Sequence, residues 1–211
     1  MYKPFYFFTI LLFFSNACMS SDTCSDKDRS CGVEGQILSI FSAPQGIYLY
    51  STQTSYQGDL AKYGSSFEDS LHNICTGNRL FASIINSSCS NVLPLVSTST
   101  HNLSNFPTDY GMPDTSSYPV RGAKGDIIAN SWNLFLDENP LITLQAAGVV
   151  SQNFWTFSSL GGVYNSADNC IAGTSNSAAG AIGTPDEPTN GWVSSGAPGC
   201  SEYHPIICAC Y

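Results

Sequence analysis

The chain has 211 residues, 43% of them apolar, enough for one domain with a sizeable core and an N-terminal extension. Seven basic against sixteen acidic residues give a net charge of −9. No Lys/Arg cluster occurs, which disfavours nucleic acid, heparin-like polyanions and anionic lipid surfaces as electrostatic partners. Only 11% of residues are charged, so the surface is covered largely by hydroxyls and amides, as is common in secreted β-rich proteins.

The N-terminus reads as a targeting segment. Lys3 precedes a strongly apolar run from Phe5 to Phe14, of signal-peptide length and too short to span a bilayer. Small residues then lead to Cys18, an arrangement similar to a bacterial lipoprotein signal. Residues 1–17 are therefore expected to be a signal peptide, with Cys18 as the lipid-bearing first residue of the mature chain. Ordinary secretion is the alternative. The chain holds nine cysteines (18, 24, 31, 75, 89, 170, 200, 208 and 210), and setting Cys18 aside leaves an even eight, as suits an oxidising compartment. From residue 18 to about 40 the sequence reads as a polar tether, within which Cys24 and Cys31 are spaced to close a local loop.

Folded structure is expected from about residue 41. Ile47–Thr52 (IYLYST), rich in β-branched and aromatic residues, predicts a strand, and residues 55–64 a loop. A helix is predicted over Ser65–Cys75. Ser66 with Asp69 resembles a capping box, and Glu68 and Asp69 sit where the helix dipole favours acids. Phe67, Leu71, Ile74 and Cys75 recur at helical spacing and form one buried face, which turns Cys75 inward. Gly77 is the expected stop, and Leu80–Ile85 reads as a further strand.

Residues 86–130 are rich in Ser, Thr, Asn and Pro and predict long loops with short strands, among them Val92–Val96. Tyr118–Trp132 predicts a short strand, a turn at Gly122–Gly125, and a short helix begun by Ser131 with Trp132, Phe135 and Leu136 on its apolar face. An extended stretch is expected at residues 141–150, then an aromatic strand at Phe154–Ser159. A long low-charge loop carries Cys170 and Cys200, and Pro205–Cys210 predicts a final strand. Cys208 and Cys210, two apart on it, face the same side.

In order and spacing, IYLYST, FEDSLHNIC, PVRGAKGDIIANSWNLFL, NFWTFSS, DNC and GWVSSGAPGCSEYHPIIC resemble the uncharacterised lectin-like domain of spirochaete lipoproteins, related to the endostatin/collagen C-terminal domain. The resemblance spans about residues 45–211. It implies an α+β, C-type-lectin-like fold: a mixed, twisted antiparallel sheet, one main helix, a short second helix and long disulfide-closed loops. It also implies bridges Cys75–Cys208 and Cys170–Cys200. Cys89 and Cys210 have no counterpart in that pattern and are assigned to each other, leaving Cys24 with Cys31.

Candidate chemistry is sparse. Asp186, Glu187 and Asn190 are weak Ca²⁺ ligand candidates, because a hard cation needs convergent oxygens, but no Asn-Asp pair follows Trp192. Endostatin's basic face has no counterpart, since Arg79 and Arg121 are the only arginines outside the tether. His204 with Glu202, near Cys200 and Cys208, imitates a Cys–His pair, yet both cysteines are expected in disulfides. Trp132, Trp155 and Trp192 read as core. No cofactor, metal or catalysis is expected. The sequence is read as a surface-exposed, outer-membrane lipoprotein, membrane-bound through its lipid, whose domain binds an extracellular protein or host matrix. A structural or envelope-maintenance lipoprotein without external ligand is the alternative reading of function, and a secreted or periplasmic protein that of location.

Overall fold

The computed structural model describes residues 43–86 and 89–211. The expected signal peptide (1–17), the lipidation at Cys18, the tether to residue 40 and the Cys24–Cys31 bridge lie outside the described residues.

Strand β1 (Ile47–Ser51) forms in a run rich in β-branched and aromatic residues. Helix α1 (Phe67–Arg79) follows, with the Ser66 hydroxyl accepting from the Asp69 amide at 3.1 Å as its N-terminal cap. The helix does not stop at Gly77. That residue costs about 1 kcal/mol in a helix interior, but Asn78 Nδ2 donates to the Ile74 carbonyl at 2.8 Å and carries the helix on for two more residues. Next come β2 (Val92–Pro94), the short helix α2 (Phe106–Tyr110), β3 (Val120–Arg121), β4 (Ile127–Ala129) and helix α3 (Trp132–Asp137), capped by Ser131 as expected. Strands β5 (Phe154–Trp155), β6 (Ile182–Gly183) and β7 (Ile207–Cys210) complete the order.

Five strands make one sheet in the order β2-β7-β1-β3-β4, and β5 pairs with β6 in a separate antiparallel ribbon. The main sheet is mixed, as expected: β1 and β3 run parallel and the other neighbours antiparallel. The long crossover between β1 and β3, which carries α1, makes the parallel direction accessible where a hairpin would not. Two expectations of extended structure are corrected. Residues 80–85 are not a strand: Leu80 is 88% exposed, and the segment finds a turn and a single long-range backbone bond, Ile85 N–H to the Ala123 carbonyl, instead of a ladder. Residues 141–150 coil into turns, started by Thr143, whose carbonyl and hydroxyl accept from the Ala147 and Ala146 amides. A short 3₁₀ turn, Leu60–Tyr63, sits inside the expected loop 55–64.

Alternate residues of β1 supply both sides of the sheet, and both sides are buried. Ile47 and Leu49 join Leu93, Ile207, Ala209, Trp132, Phe135 and Trp192 in one cluster. Tyr48 and Tyr50 join Leu71, Cys75, Cys208 and Cys210, with Trp155 and Phe157, in the other. All three tryptophans are fully buried. Each indole N–H donates to a carbonyl: Trp132 to Leu103, Trp155 to Tyr56 and Trp192 to Phe135, at 2.8, 2.8 and 3.0 Å. Burying the ring while satisfying its polar edge fits a core role.

Candidate functional site

Among the described residues three disulfides tie helix, strand and loops together. Cys75 on α1 is bonded to Cys208, Cys89 to Cys210, and Cys170 to Cys200, with Cα separations of 5.7, 5.6 and 5.7 Å. These are the pairs implied by the resemblance together with the assignment of the two extra cysteines to each other. Every described cysteine is thus bonded, and no described thiol is left for a Cys–His pair. His204 presents Nδ1 to the Asn153 carbonyl at 3.2 Å and packs edge-on against Trp155. Its Nε2 is buried and lies 3.6 Å from the Glu202 carboxylate.

The stapled loop holds a strained turn. Cys170, Ile171, Ala172 and Gly173 all have positive φ, at 55, 55, 52 and 72°, making one left-handed turn. Such backbone costs about 1–2 kcal/mol per non-glycine residue. The neighbours hold it in place: Asn169 Oδ1 accepts from the Ala172 amide at 2.7 Å, and the Thr174 hydroxyl donates to the Ile171 carbonyl at 2.6 Å. Gly58 packs onto the Cys170 sulfur so closely that a Cβ would sit 2.1 Å from it. The apex side chain, Ile171, is 63% exposed.

Beside the N-terminal half of α1 lies a groove of about 180 Å³. Leu71, Leu93, Val96 and Phe106 make its apolar floor, contributed by α1, the β2 edge strand and α2. Its rim is polar, with two acids, Glu68 and Asp69, beside His72, His101 and Tyr110. Glu68 accepts from the Thr100 hydroxyl at 2.7 Å, and that hydrogen bond, outweighing the opposite effect of burial, holds its carboxyl below the usual range. Asp69 is lowered too, first by the Ser65 hydroxyl. His101 Nδ1 meets the Asp109 carboxylate at 2.9 Å, and its ring lies 5.2 Å from that of Tyr110. No Lys or Arg lines the groove.

The sequence did not flag this constellation. Glu68 and Asp69 were legible only as capping and helix-dipole partners, while His101 sits on an irregular stretch and Asp109 on the five-residue α2, neither with a periodic signal. The calcium candidates lie on one loop, where two of them have hydrogen bonds within the protein. Asp186 is exposed, Glu187 Oε1 accepts from the Thr189 amide and hydroxyl, and the Asn190 amide donates to the Asp137 carbonyl at 3.3 Å. Among the described residues no group of three or more His, Cys, Asp or Glu is placed to hold a metal ion. Arg121 is spent on the loops beside it, donating to the Gln45 and Gly125 carbonyls. No described helix is long and apolar enough to cross a membrane. No protein-family model matches the chain, and no curated protein is significantly similar to it.

Proposed function

We propose that the chain is a lipid-anchored surface lipoprotein whose C-type-lectin-like domain, akin to that of spirochaete lipoproteins and to endostatin, binds a protein partner without catalysis. The fold reading is supported by one main helix disulfide-tied to the last strand, and by an inner bridge closing a 30-residue separation in the long loop. The observation that carries the functional reading is the groove between α1 and β2, with its apolar floor and the two carboxylates on its polar rim. At about 180 Å³ it is smaller than the ~300–1,000 Å³ of small-molecule sites. It suits one long side chain of a protein surface. An arginine or lysine lays its methylenes on Leu71, Leu93 and Val96 and its cation between Glu68 and Asp69, with Tyr110 as an aromatic wall.

The test is binding of the purified protein to a panel of immobilised extracellular-matrix proteins. Saturable binding that weakens with salt, and that falls at least ~10-fold in Glu68→Gln, is expected. Binding to none of the panel, or equal binding by the variant, rejects the reading. Anchoring has its own check. Mass spectrometry of the mature N-terminus should find acylated Cys18, and added protease should reach the domain on intact cells. An unmodified Cys18, or a domain protected from protease, counts against surface display.

A further inference from the structure

The three bridges differ in what surrounds their sulfurs. Cys75, Cys208, Cys170 and Cys200 are fully buried. Cys89 is only half-buried and lines an open polar cleft of about 430 Å³, together with Asn86, Ser90, Asn91, Pro113 and Tyr211. Its partner Cys210 is buried at the end of β7, where Arg79 Nε donates to its Sγ at 3.1 Å. A second nitrogen of the same guanidinium donates to the Asn86 carbonyl at 3.1 Å, which holds the cation against the bridge. One cysteine of this pair therefore borders an open cleft, and the sulfur of the other faces a held positive charge.

Thiol–disulfide exchange depends on access to the attacked sulfur and on how well the leaving thiolate is stabilised. A neighbouring guanidinium stabilises a thiolate. We propose that Cys89–Cys210 is an exchange-competent disulfide, and that the cleft admits a small thiol which forms a mixed disulfide at Cys89. In that step the external thiolate attacks Cys89 Sγ. The new S–S bond joins the external sulfur to Cys89, the Cys89–Cys210 bond breaks, and its electron pair leaves as the Cys210 thiolate beside Arg79. No further oxidant or reductant is needed. Return attack by Cys210 expels the small thiol and restores the bridge. Cys208, two residues away on the same strand, stays bonded to Cys75, so β7 remains tied to α1 throughout.

The experiment incubates the full oxidised protein with reduced glutathione under native conditions, followed by acid quench, alkylation and peptide mass spectrometry. Expected are glutathione on Cys89, the alkylating label on Cys210, and the other two described bridges closed. Arg79→Gln should slow opening about tenfold or more, with Arg79→Lys in between. Simultaneous opening of all three bridges, earlier opening of Cys170–Cys200, or glutathione on Cys210 would overturn the proposal. So would an unchanged rate in Arg79→Gln. If that variant does not fold, the position of glutathione on the unaltered protein still decides the matter. A thiol carried on a protein too large for the cleft should react far more slowly than glutathione; equal rates would reject the role of the cleft.

Discussion

On one side of the main sheet Phe106, Trp132, Phe135, Trp192 and Phe154 run as a chain of ring contacts with centroid distances of 4.3 to 6.2 Å. On the other side lie all six described cysteines, two buried tyrosines and the inward face of α1. The first side is held by area removed from water, and its fully buried members carry no titratable group. The second is held by cross-links and carries phenols and sulfurs that respond to pH and redox state. One sheet thus has a side indifferent to solution chemistry and a side exposed to it. The cleft at Cys89 draws on the cysteine side, while the groove beside α1 takes Leu71 and Val96 from that side and Leu93 and Phe106 from the aromatic one.

The largest expected effect comes from removing two bridges together. Cys75–Cys208 and Cys89–Cys210 span 133 and 121 residues and close nearly the same loop. In the chain-entropy picture the first such closure contributes about 5 kcal/mol, and the second only the ~3 kcal/mol of a ring of about 15 residues. Replacing all four cysteines with alanine should therefore cost about 8 kcal/mol in urea denaturation, against about 3 for either pair alone. Equal losses of about 5 kcal/mol for each pair would show that the loops are independent. The same redundancy makes opening Cys89–Cys210 tolerable.

The aromatic side offers the matching cut. Trp192→Ala removes a fully buried ring stacked at 4.3 Å on Phe135 and strands the Phe135 carbonyl, which should cost about 3–5 kcal/mol. That loss should be the same in the oxidised protein and in the Cys89→Ala, Cys210→Ala background, since distant sites add. A loss that changes with the bridge would mean that the two sides are coupled through the sheet.

These differences explain which parts were legible. Strand β1, the capped start of α1 and the Ser131-capped α3 announce themselves through local chemistry: β-branched and aromatic runs, hydroxyl caps and helical spacing. Residues 80–85 carry a strand's composition, but no neighbouring strand pairs with them, and composition cannot report a missing partner. The 141–150 stretch is apolar enough for a strand, yet Thr143 and the Ala-Ala-Gly run favour turns. The groove was illegible because Glu68, Leu93 and His101 meet only through the tertiary fold. The left-handed turn at Cys170 had a partial signal in Asn169 and Gly173, but β-branched Ile171 argued against it.

A smaller effect separates the two sides by pH. Tyr50 is 3% exposed and donates to the Cys75 carbonyl at 2.9 Å. Burial pushes its phenol well above the ordinary value of 10.0, and Tyr48 is raised for the same reason. The folded protein thus holds these protons more tightly than the unfolded chain. Their contribution is fully present below about pH 10, and it is lost as pH rises from there through the folded values. Tyr50→Phe should cost about 1 kcal/mol at neutral pH through the lost hydrogen bond. It should also flatten the alkaline decline, followed by tyrosinate absorbance and circular dichroism. A decline as steep in the variant as in the parent would assign alkaline loss to other groups.

The smallest expected effect has the opposite sign. Ile171 is a β-branched residue at φ 55°, ψ 60°, and most of its side chain is in solvent, so it contributes strain and little packing. Ile171→Gly relieves about 1–2 kcal/mol of left-handed strain and loses about 0.5–1 kcal/mol to the greater freedom of the unfolded chain. A net gain of about 0.5–1 kcal/mol should appear as a higher urea midpoint with unchanged slope. Gly173→Ala, in the same turn, should destabilise, because its Cβ would stand 2.4 Å from the Phe67 ring at a φ of 72°. A destabilised Ile171→Gly would mean that the exposed isoleucine rests on something it gains from its neighbours. A stabilised variant would leave the apex as strain maintained by the Cys170–Cys200 bridge and the contacts beneath it. In that case matrix binding should be measured on the same variant, since a side chain held out at a cost to stability is the place where a partner's contact would show.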